Sequence, residues 1–226
     1  MSKAIKAFKA LEKLANGEHA LTVCIGDSIT EQNYHLHGRL NYVGQLTERL
    51  MEVYYRKSRV INAGTSSDTT WGVLERLERD ALRFQPDLVI VMLGINDSMQ
   101  GEERIPEFKS NLESIIRNIK ESGSDVLLLT QNMLDFNINE AAVVMRASYP
   151  VYIHALREVA AAEEAPLCDI YQKWGEYVGG NSNMHLMLMN DSIHPNERGH
   201  ALMVQAVYDY LGIPELVVPH NERFKN

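Results

Sequence analysis

Five short apolar runs constrain the fold of this chain: LTVCIG (21–26), RVINAG (59–64), DLVIVMLG (87–94), DVLLLTQ (125–131) and PLCDIY (166–171). They are nearly continuous in β-branched and aliphatic residues, the pattern of strands covered on both faces. Between them lie helical patterns, over about 40–56, 69–84, 106–122 and 148–164. In the third, Phe108, Leu112, Ile115, Ile116 and Ile119 recur at three- and four-residue spacing and make one apolar stripe. A last helix, over about 196–212, follows Pro195 and stops near Gly212 and Pro214. This alternation predicts an α/β fold, a parallel sheet with helices on both faces. Five strands predict the flavodoxin-like doubly wound arrangement, whose sites form outside the carboxyl ends of the strands.

The 226 residues fit one domain spanning 1–226, with no repeat and no low-complexity tract. An N-terminal helix over about 3–15, within an appendage of about 1–18, places Ile5, Phe8, Leu11 and Leu14 along one side. It can dock on its own domain or on a second subunit, so a homo-oligomer stays open. The formal charge of −8 leaves no basic surface for nucleic acid or an anionic membrane. Lysines interrupt the first twenty residues, so no secretory signal is expected there. No segment reaches the length of a membrane span. Cys24 and Cys168 lie in strand runs and read as reduced core thiols of a cytoplasmic protein. The one long connection, 132–149, has the length of a functional lid.

The strand ends carry the chemistry. The first run leads into Gly26-Asp27-Ser28-Ile29-Thr30 and the second ends in Asn62-Ala63-Gly64-Thr65-Ser66. The third ends in Gly94-Ile95-Asn96-Asp97, and MNDSIHPNERGH (189–200) follows the fifth. Each alone reads as turn chemistry. Together, in this order, they resemble the SGNH (GDSL-type) hydrolase family over about residues 20–212. Ser28 matches the family's nucleophile motif, Gly64 lies in its glycine motif, Asn96 in Gly-x-Asn-Asp, and Asp191-x-x-His194-Pro195 matches the last motif. The resemblance implies a serine carboxylic-ester hydrolase working through an acyl-enzyme.

The residues support that chemistry in their own right. A serine hydroxyl needs a base to take its proton. His194 is the candidate base, and later the acid for the leaving group. Asp191, three residues earlier, can reach the other ring nitrogen and fix the tautomer. The Ser28 N–H, the Gly64 N–H and the Asn96 amide are candidate donors to the oxyanion. Of three Asp-Ser pairs, at Ser28, Ser98 and Ser192, only Ser28 stands at the end of the first strand with a helix-forming region after it. Asp27 and Asp97 read as supporting, turn-stabilising residues. The glycine motif usually continues Ser-Gly; here Ser67 follows Ser66, so a positive φ there would carry strain.

His35, His37, His154, His185 and His200 have no partners at metal-ligand spacing, so neither metal nor cofactor is expected. His35 and His37, two apart after the nucleophile region, read as a solvated loop, with the lining of a pocket as the alternative. Within the family, Asn41-Tyr42-Val43 and Met145-Arg146 resemble intracellular carbohydrate O-deacetylases such as acetylxylan esterases, which implies an acylated saccharide as the small-molecule substrate. Such relatives often carry a tryptophan after Gly-x-Asn-Asp; this chain has Ser98-Met99. Two alternatives remain: a lysophospholipase or thioesterase for longer acyl chains, and a flavodoxin-like ligand-binding module.

Overall fold

In the computed structural model, which describes residues 8–31 and 34–215, the five apolar runs pair into one parallel sheet. The strands are β1 (Ala20–Gly26), β2 (Ser58–Gly64), β3 (Leu88–Met92), β4 (Asp125–Leu129) and β5 (Leu167–Cys168), in spatial order β2-β1-β3-β4-β5. The order reverses between β1 and β3, which opens a crevice at their carboxyl ends. The helices are α1 (Lys9–Ala15), α2 (Ser28–Glu31), α3 (Tyr42–Tyr54), α4 (Thr70–Asp80) and α5 (Ile105–Glu121). They continue with α6 (Ala141–Val144), α7 (Tyr149–Ala162), α8 (Ile170–Val178), α9 (Ser182–Leu186) and α10 (Glu197–Leu211).

Successive strand residues point to opposite faces, so each strand feeds two cores. Cys24, Ile90, Met92, Leu127 and Leu129 meet α3, α8 and α10 on one face through Leu46, Trp174 and Met203. Val23, Ile25, Val89, Val91 and Leu128 meet α4, α5 and α7 on the other through Leu77, Ile115 and Leu156. The whole predicted stripe of α5 is buried. Phe8, just before α1, and Ala10 and Leu14 within it join the first core, so this helix docks on its own domain. Lys13 also bonds Asp87 at 2.7 Å. Ile5 and the start of the predicted helix lie outside the described residues. Cys24 and Cys168 are buried free thiols, and burial pushes both up to about 12.

The fifth run behaves differently from the reading as a strand over 166–171. Only Leu167–Cys168 pairs. The Asp169 carboxylate accepts from the Gln172 N–H at 3.0 Å and from the Arg157 guanidinium at 2.8 Å. It therefore caps α8, which begins where the strand was expected to continue. The connection 132–149 is not structureless either: it contains α6 and returns Arg146 towards the sheet. Among the described residues no helix is long and apolar enough to cross a membrane.

Candidate active site

Ser28 opens α2 directly after β1, and four residues of helix cannot hold themselves in place. Side chains from two other elements do it. Asn41, whose Oδ1 caps α3 at the Gly44 N–H (3.0 Å), donates through Nδ2 to the Thr30 carbonyl at 2.7 Å and the Ile29 carbonyl at 3.3 Å. Asn62 of β2 donates to the Thr30 carbonyl at 2.6 Å, and the hydroxyls of Tyr42 and Thr30 lie 3.0 Å apart. Asp27 accepts from the Ile29 N–H at 3.0 Å through Oδ1 and from Gln131 at 2.8 Å through Oδ2.

Across the crevice, the segment before α10 closes on itself. The Asn190 N–H donates to the His194 carbonyl at 2.8 Å and the Asn196 N–H to the Leu188 carbonyl at 2.8 Å. Asp191 Oδ1 accepts from the backbone N–H of Ile193 (2.8 Å) and of His194 (2.7 Å). The His194 ring presents Nδ1 to Asp191 Oδ2 at 2.9 Å and Nε2 to the Ser28 hydroxyl at 2.9 Å. A carboxylate on Nδ1 selects the tautomer with its proton there, which leaves the Nε2 lone pair facing the hydroxyl. Burial alone would raise the Asp191 carboxyl. Hydrogen bonds from the His194 ring and the two backbone N–H groups outweigh it, and hold the group well below the usual carboxylate range.

Of the other Asp-Ser serines, Ser98 is buried and donates to the Ile95 carbonyl at 2.8 Å, and Ser192 makes no hydrogen bond to Asp191 or His194 among the described residues. Ser28 alone meets the imidazole.

The expected oxyanion donors separate into two kinds. The N–H of Ser28 makes no hydrogen bond among the described residues. Asn96 has its Oδ1 held by Arg146 at 3.1 Å, which fixes the amide orientation. One Asn96 N–H goes to the Asp68 carbonyl at 3.0 Å; the other has only a long 3.5 Å approach to Asp27 Oδ2. The Gly64 N–H, by contrast, is already donated to Asn62 Oδ1 at 2.9 Å. This corrects the expectation that Gly64 supplies a free donor. What demands glycine is space: a Cβ there would lie 2.2 Å from the Glu31 nitrogen and 2.6 Å from the Thr30 carbonyl carbon. Two N–H groups in this loop, those of Ser66 and Ser67, make no hydrogen bond among the described residues. Ser67 has φ 65°, so the condition under which a serine in this place carries strain is met.

Asp27 and Asp97 both lie buried at the strand ends beside Ser28 and Asn96. Asp27 is fully buried; burial pushes its carboxyl up to about 6, against the bonds from Gln131 and Ile29. Asp97 is raised by burial too, and it accepts from the Thr70 N–H (2.9 Å) and hydroxyl (2.6 Å), fixing the start of α4 to the β3 end.

Sequence reasoning preferred a solvated loop for His35 over the lining of a pocket. Its ring stacks on His194 with centroids 3.5 Å apart and planes 16° from parallel, and its Nδ1 is 3.8 Å from Asp191 Oδ2. It is no solvated loop residue. Burial and then the neighbouring His194 lower its proton affinity, against the pull of Asp191 and Glu31. His35, Asp191 and His194 are compact enough to be considered as metal ligands. Near-parallel rings this close cannot direct both in-plane lone pairs at one ion, however, and the His194–Asp191 hydrogen bond already uses the facing atoms. Asn62, Gln131 and Arg146 complete the surroundings; Gln131 and Asn132 were visible as polar residues ending an apolar strand run.

The chain belongs to the GDSL-like Lipase/Acylhydrolase family, whose model matches residues 24–202. It is an ester hydrolase of that class. It is 25% identical over 218 residues to an acetylxylan esterase of Geobacillus stearothermophilus, covering 88% of this chain and 96% of the relative. It is 32% identical to Esterase TesA of Pseudomonas aeruginosa, covering 76% and 77% of the two chains. Among solved structures, LAE5, an alpha/beta hydrolase enzyme from the metagenome of Lake Arreo, superposes with a TM-score of 0.73 at 26% identity, covering 88% of this chain and 98% of that one. A catalytic mutant of the acetylxylan esterase Axe2 from Geobacillus stearothermophilus gives 0.75 at 23% identity, covering 90% and 99%, a likeness of fold. The ligand-binding-module alternative falls away with this membership.

Proposed function

We propose that the chain removes short acyl groups, acetyl first among them, from acylated saccharides. The observation that carries the chemistry is the unbroken chain from the Ser28 hydroxyl through His194 to Asp191, each link 2.9 Å. Ser28 Oγ attacks the ester carbonyl carbon while its proton passes to His194 Nε2. The carbonyl oxygen becomes an oxyanion, received by the Ser28 N–H, the Asn96 amide and, in place of Gly64, the N–H of Ser66 or Ser67. The tetrahedral species collapses, the sugar alcohol leaves with the proton from His194, and Ser28 holds the acyl group. Water then enters by the same route in reverse roles, releasing the acid. Asp191 holds the imidazole in its tautomer and stabilises the imidazolium throughout.

The acetyl-saccharide part of the reading rests on relatives that bear the name acetylxylan esterase, from Geobacillus stearothermophilus and from Xylanibacter ruminicola. The test is a panel of acetylated saccharides beside a chain-length series of nitrophenyl esters, with Ser28→Ala as control. Activity should peak at acetyl and vanish in the control. A peak at eight carbons or more would replace this substrate with the long-chain acyl alternative. Retained activity in Ser28→Ala would remove the nucleophile.

A further inference from the structure

Arg76 lies on α4, outside the groups assigned to the reaction, and its side chain is only 8% exposed. A guanidinium taken out of water is costly unless its donors are used. Four of the five N–H groups of Arg76 are. Nε donates to Asp68 Oδ2 at 2.6 Å, Nη1 to the Ala63 carbonyl at 2.7 Å and to Asp80 Oδ2 at 3.2 Å, and Nη2 to the Gly26 carbonyl at 3.0 Å.

Two of these acceptors are backbone carbonyls at the carboxyl ends of neighbouring strands. Gly26 ends β1, two residues before Ser28, and Ala63 stands one residue before the end of β2; Gly26 and Gly64 pair in register. The Gly26 carbonyl also accepts from the Thr65 N–H at 2.9 Å, which ties the loop after β2 to the same point. One planar fork therefore spans the start of the nucleophile turn and the start of the glycine loop.

A third acceptor leads to the oxyanion side. The Asp68 carbonyl takes one Asn96 N–H at 3.0 Å, which leaves the other N–H of that amide to the substrate. Asp68 is itself held at both oxygens, by the Thr69 N–H on Oδ1 at 3.0 Å and by Arg76 on Oδ2. The sequence prepares this arrangement: Asp68, Gly72 and Arg76 stand four apart and share one side of α4. A Cβ at Gly72 would lie 1.9 Å from Asp68 Oδ1, so the missing side chain is what lets the carboxylate lie against the helix.

We propose that Arg76 is a positioning residue for the oxyanion site. It holds the Gly26 carbonyl, the Ala63 carbonyl and Asp68 at fixed separations, and through them keeps the Ser28 N–H and the Asn96 amide aimed at one oxygen. This rests on the assignment of those two groups as oxyanion donors. Such donors act only when all lie within hydrogen-bond distance of the same atom, and a misplacement of about 1 Å costs on the order of 100-fold in rate. The fork matters as much as the charge. A lysine carries its donors on one nitrogen and cannot reach acceptors spread along two edges of a plane.

Hydrolysis of nitrophenyl acetate, measured well below the melting transition of each variant, tests this. Arg76→Lys keeps the charge and loses the fork. It should lower kcat about 100-fold and leave KM within about twofold, with Ser28 still labelled to completion by a fluorophosphonate at a slower rate. Asn96→Ala should lower kcat on the order of 100- to 1000-fold. In the double variant the loss should fall well short of the product of the two, since Arg76 acts in part through the amide already removed. Arg157→Lys weakens the Asp169 pair at the edge of the sheet and is the control for lost stability: its melting temperature should fall with kcat unchanged. Where Arg76→Lys does not fold, Gly72→Ala replaces it. That variant leaves Arg76 in place, adds helix propensity to α4 and displaces the Asp68 carboxylate, so kcat should fall about tenfold with little change in melting temperature. An unchanged kcat in Arg76→Lys or, where that variant does not fold, in Gly72→Ala overturns the proposal. So does a double variant whose loss is the full product, or a kcat loss in Arg157→Lys as large as in Arg76→Lys; either makes Arg76 a part of the scaffold only. If Asn96→Ala keeps its kcat, the oxyanion assignment fails and the proposal with it. If Asn96→Ala is impaired and Arg76→Lys is not, the proposal fails and the oxyanion assignment stands.

Discussion

Asp27 gives the sharpest quantitative test, because its effect on stability has the opposite sign to that of most structural carboxylates. Its carboxyl is fully buried and is raised from 3.8 to about 6, chiefly by burial, with Gln131 and Ile29 opposing. The folded chain therefore holds this proton more tightly than the unfolded chain does. The contribution to stability is fully present below about pH 3.8 and is lost as pH rises through about 6. At pH 8 the buried anion costs about 3 kcal/mol, at about 1.4 kcal/mol for each pKa unit. Asp27→Asn removes the ionisation and keeps one oxygen for the Ile29 N–H. Its new amide faces Gln131 Nε2, whose own Oε1 is committed to the Ile95 N–H at 2.8 Å, so a lost hydrogen bond costs about 1 kcal/mol at every pH. The variant should gain on the native chain by about 2–3 kcal/mol between pH 4 and pH 8. Urea unfolding at the two pH values measures this difference directly. A stability difference that is the same at both would refute the burial argument for Asp27.

Substitutions at three further positions probe the frame around the nucleophile. Gly64→Ala puts a methyl into the α2 backbone and should cost about 1–3 kcal/mol while lowering kcat on the order of 100-fold by shifting Ser28; an unaltered melting temperature would remove the space argument. Ser67→Gly relieves a left-handed serine, and after the added freedom of the unfolded chain it should leave stability equal or up to about 1 kcal/mol higher, read by thermal melting. A clear loss of stability would count against strain there. His35→Ala uncovers one face of the His194 ring and should reduce kcat severalfold with little change in KM, whereas His35→Phe, which can still stack, should recover most of it. Full activity in the alanine variant would mean that the stack does not support the base.

The sheet was legible because its signal is collective: five runs of buried residues, with helical stripes between them, admit few arrangements. Ser28 and Asn96 were legible for a related reason, since each follows a strand end, whereas Asp191 and His194 come after α9 and were legible only through their Asp-x-x-His-Pro spacing. β5 was misread because Asp169 competes for the chain: its capping bonds turn Ile170 and Tyr171 into helix although both suit a strand. Gly64 was read from its motif as a donor, but a backbone N–H has one bond to give, and Asn62 two residues earlier takes it. Its clash with α2 depends on the separation of two elements, which local sequence does not encode. The place of His35 over the base was not legible for the same reason, although the sequence marked it as able to line a pocket. Only the path of the chain after α2 lays it on His194.

The segment that carries Asp191 and His194 ties its own ends, through the Met189–Pro195 bridge and the bonds of Asn190 and Asn196. Acid and base thus travel as one rigid clasp, while the nucleophile is fastened to a different part of the sheet by Asn41 and Asn62. Mild heating should let the two halves drift out of step before either comes apart. Activity would then fade below the melting transition and return on cooling, as a latch reseats in its catch.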